Sequence, residues 1–435
     1  MSVRPGFKVT EIGQIPEEWT YGSIEEFAMT SDEAVQTGPF GAQLHASDYV
    51  KHGVPLVRIV NVNDGKINTD NLVSVSQEKT SELERYRLKI GDIVFSRVGS
   101  VGRAAVVTER ESGWLLSGQM LRVRLANPAI DVKFLGYIIA SHWFQKALAN
   151  RLVGSTRKSI NTEILSNLPM VAPPLDEQRK IAAVISNTDE AIQKTDEITA
   201  KTQQLKNGLM RRLVTRGIEH SQFKQTEIGE IPQEWEVVKL GQLVTDHKAG
   251  IFKPRSEYGS GQNIVGVHDL YYHDSIDGQI FRLVKLTSEE RQDYSLKEGD
   301  VIYSESSLVK DGIGKALVVT RNGEGTCFAW HTRRLTLNRQ RANPFFVNHV
   351  LNSPSIRRSI IRRSTQTALT GIPVRDYFDT VLPLPTLVEQ QKIATILSKI
   401  DSKLQIEGTK KGRLQTLKSG LMQILLTGKA RVNVN

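Results

Sequence analysis

The chain has almost no cysteine, and it has no long apolar run. One cysteine among 435 residues excludes a disulfide framework. The longest apolar candidate, Phe134 to Ala140, is far shorter than the ~20 residues that a membrane helix needs. The first residues, Met1 to Pro5, contain no apolar segment typical of a secretory signal. We therefore expect a cytoplasmic protein with no membrane contact.

Positive charge exceeds negative charge. The chain has 57 Lys and Arg against 47 Asp and Glu, which gives a formal net charge of +10. A surplus of this size attracts any polyanion without a specific site, so nucleic acid is the first partner to consider. The alternative is a basic, solvated surface that binds no partner.

The chain contains an internal duplication. Residues Phe7 to Trp19 recur as Phe223 to Trp235, with ten of thirteen positions identical at an offset of 216. Three further pairs of segments match at offsets of 208 or 212: Leu88 to Ser96 with Leu296 to Ser304, Val101 to Thr108 with Ile313 to Thr320, and Glu177 to Ala182 with Glu389 to Ala394. Fixed periods of this kind indicate two copies of one structural unit.

Each copy is predicted to be a β-rich domain followed by a long helix. The strand-like segments are bounded by glycines, and the helical segments contain no proline. We place the boundaries at 1–172 for the first domain, 173–217 for its helix, 218–384 for the second domain and 385–435 for its helix. The loops between the matched strands differ in length, with four residues at 97–100 against eight at 305–312. A shared frame with divergent loops suggests two specificities, although neutral drift would give the same pattern.

The two helical segments carry matching heptad stripes. Apolar residues recur at alternating spacings of four and three, with threonines between them in the first helix and a polar middle in the second. About 37 residues correspond to roughly 55 Å of helix. Two half-sites read from one face of a DNA duplex lie ~34–36 Å apart or at multiples of that distance, so paired helices could act as a spacer. A helical hairpin that only buries apolar surface is the alternative. The stripe residues are Ile181, Ile185, Ile192, Leu205, Leu209, Leu213, Ile393, Leu397, Ile400, Leu404, Leu414, Leu421 and Leu425.

Several segments are similar to catalytic motifs but are incomplete. Asn343-Pro344-Phe345-Phe346 lacks the second proline of the adenine methyltransferase motif Asn-Pro-Pro-Phe/Tyr, and an Asn-Pro turn that opens a helix explains it. Cys327 and His331 could form a thiol and base pair, but Leu115 and Gln119 stand at the equivalent places in the first copy. We therefore predict that Cys327 fills a core position in a strand.

The repeated Gly-Asp pairs could be offered as metal ligands. Two-metal hydrolysis needs clustered carboxylates, and no Glu-x-Lys follows Asp92 or Asp300 at a suitable spacing. A turn carboxylate that accepts hydrogen bonds from backbone amides is the better interpretation.

Polar and basic side chains remain in the loops between strands. Arg and Asn pair bidentately with guanine and adenine edges, and clustered Arg or Lys contacts phosphates. For any single residue, a solvated side chain is the alternative. The candidate DNA-binding residues are Phe40, Arg58, Asn61, Asn63, Arg97, Ser100, Arg103, Thr156, Arg157, Lys158, Asn161, Lys253, Arg255, His268, Ser306, Lys310, Arg362, Arg363, Thr365 and Thr367.

Four segments together resemble the specificity subunits of type I restriction-modification enzymes. They are Thr226 to Trp235 (TEIGEIPQEW), Gly38-Pro39-Phe40-Gly41, the strand that follows each Gly-Asp pair, and above all Pro173 to Ala182 (PPLDEQRKIA). The last motif recurs as Pro385 to Ala394 with Thr386 in place of the second proline. The likeness covers nearly the whole chain.

The resemblance implies an α+β fold with two tandem target-recognition domains, each reading one half of a split, asymmetric double-stranded DNA site. It implies that the two helices pair as an antiparallel coiled coil with pseudo-twofold symmetry, which sets the gap and docks two methyltransferase (M) subunits. The chain itself would have no catalysis, no metal and no cofactor. The methyltransferase subunits would supply S-adenosylmethionine, and restriction (R) subunits would supply ATP and Mg.

We accordingly expect the loops 96–103 and 154–161 to read one half-site, and the loops 304–314 and 362–371 to read the other. Two other classes stay open on the residues alone. One is a protein-binding scaffold built on the coiled coil, and the other is a self-sufficient DNA methyltransferase or nuclease.

Overall fold

The computed structural model describes residues 3–28, 34–63, 65–99, 101–152, 159–365 and 370–433, without the side chains of Ala42 and Asn63. The chain divides into two compact units. Unit 1 comprises Met1–Lys194 with Lys411–Asn435, and unit 2 comprises Thr195–Lys410. The division passes through both long helices, so each unit contains part of each helix.

Unit 1 contains short strands, short helices and parts of the two long helices. Its strands are β1 (Phe7–Thr10), β2 (Gly13–Pro16), β3 (Thr20–Ser23), β4 (Val35–Thr37), β5 (Tyr49–Val50), β6 (Val54–Val57), β7 (Val62–Asn63), β8 (Lys66–Ile67), β9 (Val73–Val75), β10 (Ile93–Ser96), β11 (Ala104–Val106), β12 (Leu115–Leu116), β13 (Met120–Val123) and β14 (Pro169–Ala172). Its short helices are α1 (Ile24–Phe27), α2 (Gln77–Glu82), α3 (Val132–Ala140), α4 (His142–Arg151) and α5 (Thr162–Ser166). The long helix α6 (Leu175–Arg216) begins in this unit.

Unit 2 has the repeated segments in the same order, with different short elements between them. Its strands are β15 (Phe223–Thr226), β16 (Gly229–Pro232), β17 (Glu236–Lys239), β18 (Val244–Ala249), β19 (Tyr258–Val265), β20 (Ser275–Ile276), β21 (Arg282–Val284), β22 (Val301–Ser304), β23 (Ser306–Ser307), β24 (Ala316–Val319), β25 (Cys327–Phe328), β26 (Thr332–Leu337), β27 (Thr370–Gly371) and β28 (Val381–Leu384). Its short helices are α7 (Val267–Tyr272), α8 (Ser288–Tyr294), α9 (Pro344–Leu351), α10 (Pro354–Arg363) and α11 (Val374–Phe378), and the second long helix α12 (Leu387–Leu425) begins here.

The main sheets of the two units correspond in their central strands. Unit 1 has the order β11-β10-β13-β4, and unit 2 has β18-β26-β22-β24-β20. The central pairs β10 with β13 and β22 with β26 are antiparallel, and every residue of β10 and β22 is buried. The duplication and the α+β class predicted from the sequence are therefore confirmed.

The repeated Gly-Asp pairs close turns. Asp92 accepts a hydrogen bond from the Lys89 amide at 2.8 Å, and Asp300 accepts one from the Lys297 amide at 2.9 Å. Asp92 also receives two hydrogen bonds from the Arg124 guanidinium. These contacts confirm the prediction of turn carboxylates.

The repeated motifs join each domain to its long helix. The Trp19 indole donates to Glu177 at 3.3 Å, and the Trp235 indole donates to Glu389 at 3.0 Å. Both tryptophans are buried, as is Glu177. Because a buried indole N–H and a buried carboxylate each need a partner, the two motifs that identify the repeat satisfy one another.

The long helices run antiparallel where they meet. In unit 1, Lys418 of α12 forms an ion pair with Asp189 of α6 at 2.6 Å. In unit 2, Lys206 of α6 forms one with Asp401 of α12 at 2.6 Å. The residues of the two pairs differ by the repeat offset of 212, so both units use the same helix register.

The predicted stripe holds at most of its positions. Buried positions are Ile181, Ile185, Leu213, Ile393, Leu397 and Leu425, and partly buried positions are Ile192, Leu209, Ile400, Leu404, Leu414 and Leu421. Leu205 is 55% exposed, so its predicted place in the stripe is wrong. The inward position belongs to the next residue, Lys206, which lies four residues after Thr202 and three before Leu209 and therefore keeps the alternation; its ammonium pairs with the Asp401 carboxylate.

Candidate nucleic-acid interface

In unit 1, a glycine turn presents an aromatic ring at the end of the main sheet. Gly38 lies so close to the backbone that a Cβ atom there would be 2.0 Å from the Ser117 carbonyl oxygen. Two residues later, Phe40 is 48% exposed. The Arg97 guanidinium lies 4.8 Å from the centre of the Phe40 ring, which is a cation–π distance. The structure thus brings two of the predicted residues together.

Backbone hydrogen bonds connect the neighbouring segments to Arg97, the residue that contacts this ring. The Arg97 amide donates to the Gln119 carbonyl at 3.0 Å, and the Ile160 amide donates to the Arg97 carbonyl at 3.0 Å. The Arg103 amide donates to the Ser96 hydroxyl, and the Arg103 side chain is exposed. Phe40, Arg97 and Arg103 therefore share one edge of the sheet.

Asn61 has a structural role instead of the predicted contact with a base. It is fully buried, and its carboxamide accepts from the Arg58 amide and donates to the carbonyls of Asn68 and Asp70. An amide whose groups are all used inside the protein cannot read a base edge. Arg58 is half-buried and donates to the Asn71 carbonyl at 2.7 Å.

Asn161 is exposed, and it caps α5 by accepting from the Ile164 amide at 2.8 Å. Six predicted positions lie outside the described residues or side chains, so their placement stays a prediction: Asn63, Ser100, Thr156, Arg157, Lys158 and Thr367.

Unit 2 presents a larger aromatic surface at the same position of the repeat. Gly250 lies against the Ala329 carbonyl with the same 2.0 Å distance for an added Cβ atom. Phe252 is 62% exposed and Trp330 is 51% exposed, and their ring centres are 4.9 Å apart in an edge-to-face arrangement. The Trp330 ring also stacks on His331 at 4.2 Å.

Phe252 and Trp330 were not among the predicted residues. The signal for Phe252 was present, since adding the offset of 212 to Phe40 gives this position. Trp330 replaces Gly118 of the first copy, and nothing in the repeat indicated that its side chain would be exposed.

Two predicted residues of unit 2 are engaged inside the protein. Lys253 is mostly buried and pairs with Glu290 at 2.8 Å. Ser306 is 9% exposed, and its hydroxyl bonds to Nδ1 of His331 at 2.5 Å. The prediction of direct DNA contact is therefore wrong for both, because their polar atoms already have internal partners.

The other predicted residues of unit 2 are exposed. The Thr365 hydroxyl accepts a hydrogen bond from the Gly371 amide at 3.0 Å. The remaining ones carry basic or imidazole groups and form two groups: Arg255, His268 and Lys310 on loops or short helical turns, and Arg362 with Arg363 in the last turn of α10. These side chains can contact phosphates or bases.

The incomplete catalytic motifs have structural explanations. Asn343 caps α9 by accepting from the Phe346 amide at 3.1 Å. In the first copy the helix begins at the equivalent residue, Val132, and Asp131 caps it by accepting from the Phe134 amide at 2.9 Å; Asn127 closes a separate turn to Ala129. Cys327 is fully buried in β25, and burial raises the pKa of its thiol, which opposes a thiolate nucleophile.

Neither a metal site nor a membrane helix is found in the parts of the chain that the structure describes. Among the described residues, no three or more His, Cys, Asp or Glu side chains are grouped so as to hold a metal ion. No helix in the described ranges is long and apolar enough to cross a membrane.

The chain contains two copies of one α+β unit, each with basic and aromatic side chains on exposed loops. Residues 16–204 and 232–416 match the family model of the type I restriction modification DNA specificity domain. These ranges cover most of the chain, and the chain belongs to this family. Its function is therefore DNA sequence recognition in a type I restriction-modification system, and it has no catalysis and no cofactor of its own.

Relatives and solved structures agree with this assignment. The chain is 31% identical over 98% of its length, and 97% of the relative's, to a protein of Methanocaldococcus jannaschii described as the putative type I restriction enzyme MjaX specificity subunit. It is 28% identical to the MjaVIII specificity subunit of the same organism, over 74% of this chain and 76% of that one. Its fold is similar to the crystal structure of a type I restriction-modification S subunit from M. genitalium, with a TM-score of 0.59 at 13% identity over 98% of both chains.

Proposed function

We propose that the chain reads a bipartite, asymmetric DNA site, with one unit for each half-site. One observation carries this proposal: the two units have the same central strands and the same tryptophan–glutamate contact, but different side chains at the same sheet edge. Phe40 stands beside Arg97 in unit 1, whereas Phe252 stands beside Trp330 in unit 2. Different side chains on one scaffold recognise different sequences.

We further propose that the paired helices set the gap between the half-sites. The ion pairs Lys418–Asp189 and Lys206–Asp401 support this role, because they hold the helices in one register. A helix rises 1.5 Å per residue, so its length converts directly into distance along DNA.

Docking of two methyltransferase subunits is the third part of the proposal. Two pairs of apolar residues on the long helices are exposed to the same degree in both copies. Val184 and its counterpart Ile396 are each 37% exposed, and Leu205 and Leu417 are 55% and 52% exposed. Equal apolar positions on a duplicated frame fit two copies of one partner. In this proposal the partner supplies S-adenosylmethionine for adenine methylation, and restriction subunits supply ATP and Mg.

The first experiment is to co-express the chain with its neighbouring methyltransferase subunit and to sequence the host DNA for modified adenines. We expect a single bipartite motif that disappears when this chain is deleted. Methylation that persists without the chain, or the absence of a complex between the two proteins, would refute the proposal.

A domain exchange tests the division of labour. Replacing residues 1–170 with those of a relative should change only the half-site read by unit 1, which we expect to use the loops 96–103 and 154–161. The loops 304–314 and 362–371 should keep the other half. A change in both halves, or in neither, would contradict modular reading.

A change in helix length tests the spacer. Whole turns are inserted in α6 after Lys194, with an equal insertion in the facing part of α12 so that the apolar stripe is kept. The gap between half-sites should lengthen by about 10 Å for seven residues, or roughly three base pairs. The control inserts the same number of residues after the exposed Gln340, which lies outside both long helices and the proposed reading loops, and should leave the gap unchanged.

A further inference from the structure

An exposed aromatic ring occupies the same position of the repeat in both units. Phe40 and Phe252 are separated by the offset of 212, and each follows a glycine that contacts a backbone carbonyl too closely to tolerate a side chain. The two rings are 48% and 62% exposed. Because the repeated strands and the glycine contact determine where each ring lies, the two rings occupy equivalent positions in their own units.

Neighbouring side chains hold each ring in place. The Arg97 guanidinium lies over Phe40, and the edge of Trp330 contacts Phe252. Trp330 stacks on His331, whose backbone has a φ of 69°. A non-glycine residue in the left-handed region is strained, and such strain is concentrated at functional sites. The hydrogen bond between His331 and Ser306 stabilises this conformation.

A phenyl ring can contact DNA only through its apolar surface. It has no hydrogen-bond donor or acceptor, so the thymine methyl group is the feature of a base edge that it can contact. It can stack on a base or enter a step between two base pairs, as apolar side chains do in proteins that kink DNA. Methyltransferases extrude their target base from the duplex, and unstacking a neighbouring step lowers the cost of that movement.

We propose that Phe40 and Phe252 are wedges that insert between neighbouring base pairs, one in each half-site, with Trp330 supporting the second. The inference rests on the bipartite reading proposed above and assigns the unstacking of the DNA to this chain. The repeat distinguishes these rings from Leu308, which is 83% exposed but lies in the longer loop that only the second copy contains.

The test uses the full chain in complex with its methyltransferase subunit. The probes are duplexes that carry the bipartite motif obtained from the adenine map. 2-Aminopurine, whose fluorescence rises when it unstacks, replaces each purine in turn except the methylated adenines. We expect the fluorescence to rise at one step in each half-site. Phe40→Ala should abolish the rise in one half only, and Phe252→Ala in the other half only, and each change should weaken binding roughly tenfold to a hundredfold.

Two further variants serve as controls. Phe252→Tyr keeps a ring that can stack and should keep the signal. Ile280→Ala removes a more exposed apolar group of the same unit, 80% exposed and outside the proposed reading loops, and should also keep it. If the wild-type complex binds its motif tightly with no rise at any step, or if the alanine variants at the two rings keep the rise, the wedges are refuted while bipartite reading stands. Loss of the signal with Ile280→Ala alone would also refute them. If the wild-type complex binds the motif no better than a scrambled duplex, both proposals fail.

Discussion

The ion pairs between the long helices make a quantitative prediction, because the same pair occurs in two different environments. In unit 2, Lys206 is 9% exposed and lies 2.6 Å from both Asp401 and Asp274. In unit 1, Lys418 is 30% exposed and Asp189 is 39% exposed. Replacing each lysine by methionine removes the same charge and retains most of the apolar stem.

The expected losses differ because of burial. Lys206→Met leaves Asp401, which is 22% exposed, without its cation, and breaking a buried ion pair in this way costs about 3–5 kcal/mol. Lys418→Met breaks a pair that is screened by solvent, and it leaves Asp189 with the hydrogen bond from the Tyr137 hydroxyl. The expected cost is about 0–1 kcal/mol.

Hydrogen exchange read by mass spectrometry suits a chain of two units, because it reports the free energy of opening for each segment. Lys206→Met should accelerate exchange in residues 195–210 and in α9 by about 100-fold or more, and Lys418→Met by less than about tenfold in residues 175–194. The double variant Lys206→Met with Asp401→Asn should recover part of the loss. Equal effects of the two lysine variants would refute the role of burial.

Three other predictions follow from individual side chains. His349 is buried, and burial lowers the pKa of its imidazole to about 4. As the pH falls below about 6.5, the imidazole therefore binds a proton in the unfolded chain before it does so in the folded one. Urea unfolding at pH 5 should show about 2 kcal/mol less stability than at pH 7, and His349→Gln should remove that contribution. The double variant Arg362→Gln with Arg363→Gln should weaken DNA binding equally for all sequences. It should also reduce the slope of log affinity against log salt by about 1 for each phosphate that is no longer neutralised, which fluorescence anisotropy in a salt series can measure. The control Arg375→Gln, at another exposed arginine, should change neither. Glu177→Gln, at a buried acceptor of two charge-assisted hydrogen bonds from Arg431, should lower the thermal stability of unit 1 by about 2–3 kcal/mol, as calorimetry can measure.

The frame of the fold could be predicted from the sequence because its residues are determined by local chemistry. The Gly-Asp pairs close turns through hydrogen bonds to an amide three residues away. The contact between the tryptophan and glutamate motifs is not local, and the sequence showed only that both motifs recur in each copy. The assignment of Leu205 to the stripe was wrong because it followed the apolar residue and not the spacing. The alternation of four and three runs through 202, 206 and 209, and the charged Lys206 takes the inward position, where Asp401 is its partner.

The roles of the loop residues were harder to predict, because their hydrogen-bond and ion-pair partners are brought to them by the fold. In the sequence Asn61 resembles an asparagine that reads a base, but in the structure its side chain donates to the carbonyls of Asn68 and Asp70. In the sequence Lys253 resembles a lysine that binds phosphate, but in the structure Glu290 of α8 lies 2.8 Å from its ammonium group. Whether a polar loop side chain faces DNA or the protein depends on how the loop closes, and local composition does not determine this.

The ends of the long helices show why the loops of each unit are free to differ. After α6, Gly217 turns with a φ of 63° and passes Trp235 of unit 2. After α12, Gly428 turns with a φ of 68° and passes Trp19 of unit 1. Each unit is therefore closed by the end of the helix that began in the other unit, and each buries the same tryptophan beneath that end. Because the stability of a unit depends on this repeated contact and on its sheet, its exposed loops can change in sequence without loss of the fold, as two proposed specificities on one frame require.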